Sequence, residues 1–183
     1  MPAKPKHIDE KSPASPLELH ILSLLDRGAR TPYDFLQAGV SLGSAIPALR
    51  RMEAAGWVRA NRSAEVGKRQ RHSFSLSVKG HKLLVRAGIS LLQQPAPSDF
   101  DSVLRVVDIG QGAGAPSEDI ELFLNGAARD RLALAKQVIS PMTGSDQLDF
   151  KIVRAQWDVV RLKAEARFLS RTAKSVTSGN PKG

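Results

Sequence analysis

Between Ser41 and Gly56 the chain carries a start signal and a stop signal for one helix, and directly afterwards its apolar period changes from helical to alternating. Ser41 can accept a hydrogen bond from an otherwise unpaired amide of the first turn. Gly56 can take the left-handed conformation that ends a helix. Ala45, Leu49 and Met52 recur at helical spacing and define an inward face. The outer face then holds Gly43, Ser44, Pro47, Ala48 and Arg51, with Arg50 beside it. Small residues near the helix start let a partner approach the backbone closely, and the arginines behind them suit an anionic one. This junction restricts the fold sharply, because a helix of set length has to hand over to a strand across a single turn.

The flanking segments fit the same plan. Residues 1–15 are rich in Pro, Lys and Ser and read as a basic, disordered tail. Pro16 opens a helix whose inward stripe is Leu17, Ile21, Leu22, Leu24 and Leu25, and Gly28 ends it. Thr31-Pro32 forms an N-cap and first helical position. The short helix that follows, Tyr33 to Ala38, is expected to turn Tyr33 and Leu36 inward before the Gly39-Val40 turn. Beyond Gly56, Trp57 to Ala60 reads as a strand, with Trp57 as core under the sheet. His72 to Leu76 alternates as a half-buried strand does. The intervening loop, Asn61 to Arg71, has four cations and one acid, too much charge to bury, and would project as a wing. Ser77 then caps a helix running to about Leu92, with Leu83, Leu84 and Ile89 inward.

Helix, helix, helix, strand, basic loop, strand, helix is the order of a winged helix. The fold class expected is therefore mainly α with a small β-hairpin: a winged helix-turn-helix domain over 16–92, followed by a C-terminal helical dimerisation region. The 183-residue chain has a formal net charge of +9. Twelve cations against five acids lie between Pro16 and Ser90, and half of those cations fall on the third helix or the wing. That concentration points to double-stranded DNA. The third helix would enter the major groove through its N-terminal residues, and the wing would hold phosphate. Residues expected to touch DNA are Ser41, Gly43, Ser44, Pro47, Arg50 and Arg51 on the helix, and Arg62, Lys68, Arg69, Gln70 and Arg71 on the wing.

Other classes are disfavoured. The chain has no cysteine, so disulfides and thiolate metal sites are out, and His7, His20, His72 and His81 lack metal-ligand spacing. No apolar run has membrane-spanning length. The first residues lack the apolar centre of a signal peptide, so the expected location is cytoplasmic. No base-paired nucleophile or carboxylate pair suggests catalysis, and no cofactor or metal is expected.

The segments Ile21 to Leu25, Thr31 to Leu36, Ser41 to Val58, the basic hairpin and Leu76 to Gly80 together resemble the PadR family of bacterial transcriptional regulators. The most specific mark is a proline inside the third helix followed by leucine and two arginines, here Pro47, Leu49, Arg50 and Arg51. Ile46 and Pro32 stand where the family often has tyrosine and glycine. The resemblance covers about residues 17 to 92 well and is looser beyond. It implies a regulator, most simply a repressor, whose C-terminal helices form a homodimer. It also implies that a small aromatic effector can bind in the groove between domains, although no residue identifies one.

Residues 93–116 read as a linker and short helix. Within them Val106 to Gly114, Val-Val-Asp-Ile-Gly-Gln-Gly-Ala-Gly, looks like the glycine-rich first motif of S-adenosylmethionine-dependent methyltransferases. Against that, Phe100, Val103, Leu104 and Val107 fit a helical face with Ser98 as cap and Asp99 and Asp101 in the first turn. Too little chain follows for a doubly wound sheet, and no second strand ends in a ribose-binding acid. A glycine loop between two helices is the preferred reading.

The helical region expected over 117–175 begins with Ser117 as cap. Its first helix has Ile120, Leu122, Phe123, Ala127, Leu132, Leu134 and Val138 on the apolar side. A second helix from about Asp146 to Ser175 carries the stripe Val153, Trp157, Val160, Ala164 and Phe168. A helix that long needs its stripe buried. The cover expected is the same region of a second subunit, the alternative an intrachain two-helix pack. Residues 176–183 read as a disordered tail. A winged helix that binds protein rather than DNA is the competing functional class.

Overall fold

The structure, a computed structural model, describes residues 14–62, 72–139 and 150–178. These form seven helices and one two-stranded antiparallel sheet. The chain divides into two compact units, Met1–His81 and Lys82–Gly183.

The N-terminal unit contains α1 (Pro16–Asp26), α2 (Pro32–Gln37), α3 (Leu42–Ala54), β1 (Val58–Arg62), β2 (His72–Leu76) and the first turn of α4 (Val78–Leu92). This is the order and strand pairing of a winged helix-turn-helix. Both early helices start at a proline behind a reciprocal capping box, Ser15 with Glu18 and Thr31 with Asp34. The hairpin pairs Val58 with Leu76, Ala60 with Phe74 and Arg62 with His72. It is tied to the α1–α2 connection by the Phe74 amide, which donates to the Arg30 carbonyl at 2.7 Å. Gly56 sits at φ 74°, as its stop role requires. Its carbonyl accepts from Ser77 Oγ at 2.7 Å, and that same hydroxyl oxygen caps α4 by accepting from the Gly80 amide at 3.0 Å. The core is Leu19, Ile21, Leu22, Leu25, Phe35, Ala45, Ala48, Leu49, Met52, Trp57 and Val58.

The expectation for α2 is wrong. Tyr33 and Leu36 point outward, 62% and 46% exposed, and Phe35 is the fully buried residue of α2. A helix of six residues can turn only one side to the core. Phe35 lies across the helix from Tyr33, and its ring can be buried without finding a partner for a hydroxyl.

The C-terminal unit comprises the remainder of α4 with α5 (Phe100–Gly112), α6 (Ser117–Ile139) and α7 (Phe150–Ser178). The cap of α5 is Asp99 rather than Ser98; its carboxylate accepts from the Asp101 and Ser102 amides, each at 3.1 Å. Gly110, Gln111 and Gly112 continue the helix, and the chain turns only at Gly114. The stretch Val106 to Gly114 is thus neither strand plus loop, as a methyltransferase needs, nor mainly the connecting loop expected. Gly110 of this stretch serves packing, as does Gly88 across from it on α4, whereas Gly114 supplies the positive φ of the turn. A Cβ on Gly88 would lie 2.6 Å from that of Ala113, and one on Gly110 would lie 2.7 Å from Leu92 Cδ1. Gly88→Val should therefore overpack the α4–α5 contact and lower stability by about 1–3 kcal/mol. Gly126, where an added Cβ meets nothing within 4 Å, is the control; Gly126→Ala should stabilise by up to about 1 kcal/mol. Urea unfolding of the two variants checks the contrast.

Helices α6 and α7 pack along their length through Leu124, Ala127, Ala128, Ala166, Leu169 and Ala173, with Ile120, Phe123, Val103 and Val107 in the same cluster. Ser117 is the first helical residue rather than the cap; the Pro116 carbonyl accepts from the Asp119 and Ile120 amides. Leu122, Leu132 and Leu134 are exposed, not inward. Ile120, Phe123 and Ala127 are buried as expected, and Leu124, Ala128, Arg131 and Ala135 complete the row. Beyond Leu124 the stripe is alanines and an arginine, which large apolar residues do not mark.

Arg131 is 1% exposed. Its Nε donates to Glu165 Oε2 at 3.0 Å, its Nη2 to the Ser98 carbonyl at 3.3 Å, and its guanidinium lies 5.7 Å over the Phe100 ring. Glu165 in turn meets Arg161 at 3.5 Å, and Arg161 meets Asp158 at 3.3 Å.

Candidate nucleic-acid interface

The candidate interface is built on α3. Ser41 Oγ accepts from the Ser44 amide at 3.3 Å and donates to Ser44 Oγ at 2.9 Å, so the helix start is fixed by its own side chains. Ala45, Ala48, Leu49 and Met52 are buried. Gly43, Pro47 and Arg50 lie opposite them, with Ser44 and Arg51 on one flank and Ile46 and Glu53 on the other. Ala48 is a correction to the expected outer face: three residues after Ala45, it joins the inward row.

Two residues of the outer stripe, Gly43 and Pro47, are unusual inside a helix. A Cβ on Gly43 would meet nothing within 4 Å, so packing inside this chain does not require glycine there. Pro47 lies inside the helix, which nevertheless runs unbroken to Ala54. Lacking an N–H, it leaves the Gly43 carbonyl without its usual donor four residues on.

The arginines differ in their commitments. Arg51 is exposed, yet its Nε donates to Glu18 Oε1 at 3.0 Å. Glu18 is buried, and its Oε2 accepts from the Ser15 amide at 2.8 Å and the Ser15 hydroxyl at 3.0 Å. Burial alone would raise the Glu18 pKa. The Ser15 and Arg51 hydrogen bonds outweigh it and hold the carboxyl below its ordinary range. Arg50 has no ion pair or side-chain hydrogen bond among the described residues, and it borders a cleft of about 350 Å³ floored by Ile46, Leu49, Ala60 and Phe74.

Not every cation of this unit is available to a partner. Arg30 Nη1 donates to the Leu25 and Ala29 carbonyls at 2.6 and 2.8 Å, and Lys79 Nζ donates to the Ala55 carbonyl at 2.8 Å, closing the end of α3. Arg62 ends β1. Lys68, Arg69, Gln70 and Arg71 lie outside the described residues, so the structure brings together only the α3 members of the expected set. Glu18 was missed as a functional neighbour. The Ser15–Glu18 spacing announces a capping box, but nothing in the sequence links Glu18 to a residue 33 positions on.

Among the described residues, no group of histidines and acids could hold a metal ion. No helix among them is long and apolar enough to cross a membrane.

No protein-family model matches the chain, and no curated protein matches it. Among solved structures it is similar to Bacillus subtilis PadR in complex with operator DNA, with 15% identity and a TM-score of 0.43 over 90% of this chain and 99% of that one. It is also similar to smu.1604c from Streptococcus mutans UA159, with 17% identity and a TM-score of 0.37 over 85% and 96% of the two chains.

Proposed function

We propose that this chain is a sequence-specific DNA-binding transcriptional regulator, acting as a homodimeric repressor on an inverted repeat. The observation that carries the reading is the outer face of α3. A rigidly capped helix presents Gly43, Ser44, Pro47 and Arg50 to solvent, and Gly43 has no role in intrachain packing. A helix inserted into the major groove needs small residues at the point of closest approach and polar groups around it. The strongly basic segment between the hairpin strands supports the same reading, since cations on a loop suit backbone phosphate.

Dimerisation rests on α7. Val153, Trp157, Val160 and Phe168 are 44%, 62%, 60% and 50% exposed, and Ala164 is exposed with them. They lie on the side of the helix opposite the Val159, Leu162, Ala166, Leu169 and Ala173 row that is buried. Phe168 meets the Phe100 ring edge-on at 5.8 Å. A second copy covering this stripe gives two winged helices related by a twofold axis, hence a palindromic site.

A salt titration on two duplexes tests the reading: the duplex best retained from a randomised pool, and a scrambled one. Replacing Lys68, Arg69 and Arg71 by alanine should weaken both to a similar degree and lower the slope of log affinity against log salt by about one per lost phosphate contact. Ser44 accepts from Ser41 and keeps its own hydrogen to donate. Ser44→Leu should cost about 1–3 kcal/mol on the selected duplex alone, with little change in slope. Binding that neither variant changes would assign the basic unit to another partner.

A further inference from the structure

Resting on the DNA-binding reading, we propose that Glu18 is a specificity-determining residue of the interface: by holding Arg51 through Nε it turns a general phosphate anchor into a directional donor. The carboxylate does two things at once. One oxygen closes the capping box of α1 on the Ser15 amide and hydroxyl; the other takes the Arg51 Nε at 3.0 Å. The box fixes the carboxylate and the carboxylate fixes the arginine, so the start of α1 and the rear flank of α3 form one hydrogen-bonded assembly.

Two consequences follow for Arg51. Its charge is compensated by an anion that is itself buried, 6% exposed, so the pair presents little net charge to a phosphate. Its terminal amino groups make no hydrogen bond or ion pair among the described residues, and the side chain is 61% exposed. An arginine tethered by Nε retains both Nη groups, the pair that can meet O6 and N7 of a guanine end-on. Arg50, one residue earlier, has no such tether among the described residues and keeps its full charge for phosphate. The two adjacent arginines thus divide the work, and the acid 33 residues upstream makes the division.

Glu18→Gln is a clean test because glutamine serves a capping box as well as glutamate does, so α1 keeps its cap while Arg51 loses its counter-charge. The full chain is titrated with salt on the selected duplex and on the randomised pool. In Glu18→Gln the pool should be bound several-fold more tightly, with a slope steeper by about one, and the preference for the selected duplex should fall about tenfold. Arg51→Ala, at an exposed position, should lose a similar preference while leaving the slope on the pool nearly unchanged. In the Glu18→Gln background, Arg51→Ala should cancel the gain on the pool. Glu18→Gln indistinguishable from the parent, or Arg51→Ala lowering the slope by about one with preference intact, would overturn the inference and leave the DNA reading standing. A parent protein that retains no duplex would overturn both.

Discussion

Glu165→Ala should destabilise the C-terminal helical unit by about 3–5 kcal/mol. The guanidinium of Arg131 is 1% exposed and Glu165 is its only ionic partner among the described residues. Removing the carboxylate leaves a cation buried beneath Phe100 with only the Ala127 and Ser98 carbonyls for company. That cost belongs to the broken pair, not to the absence of ions. Replacing both residues, Arg131→Met with Glu165→Leu, should recover most of the loss, because the desolvation of two charges is then avoided along with their attraction. Urea unfolding at unchanged slope separates the outcomes. A single variant within about 0.5 kcal/mol of the parent would mean that water reaches Arg131.

Trp157→Glu should convert the proposed dimer to a monomer in sedimentation while leaving its helix content intact. Trp157 is 62% exposed in the single chain, so its replacement disturbs no intrachain core. In the seam between two copies the same carboxylate would be buried and unpaired. A dimer on two half-sites gains from the effective concentration of its second reading head, so the monomer should bind the selected duplex about a hundredfold more weakly or worse. An unchanged mass would remove the α7 stripe from the interface and leave it to some other cover.

Much of the N-terminal unit was legible because its signals are local. Caps at Ser41 and Thr31, the prolines behind Ser15 and Thr31, and the stop at Gly56 each act within one turn, and each stands where the residue type places it. Reading failed where faces compete. In α2 the choice between Tyr33 and Phe35 is made by the rest of the core, which the six residues themselves do not encode. In α6 Ile120, Phe123 and Ala127 were legible, but the second half of the buried row is written in alanine and one arginine, so there the large apolar residues Leu132 and Leu134, like Leu122 before them, face outward. Of the candidate interface, the outer face of α3 could be read directly except for Ala48, which is buried. The coupling of Arg51 to Glu18 could not, because an ion pair between helices depends on how they cross.

The chain has two tryptophans, and the fold gives one to each compact unit in opposite surroundings. Trp57 is packed away beside the hairpin, while the indole of Trp157 stands largely in water. Their emission should therefore differ in colour, Trp57 towards the blue and Trp157 towards the red. Association along α7 would move only the red component, and melting of the winged helix only the blue one. The molecule thus carries an optical label for each of two events, the proposed self-association along α7 and unfolding of the winged helix, without any added dye.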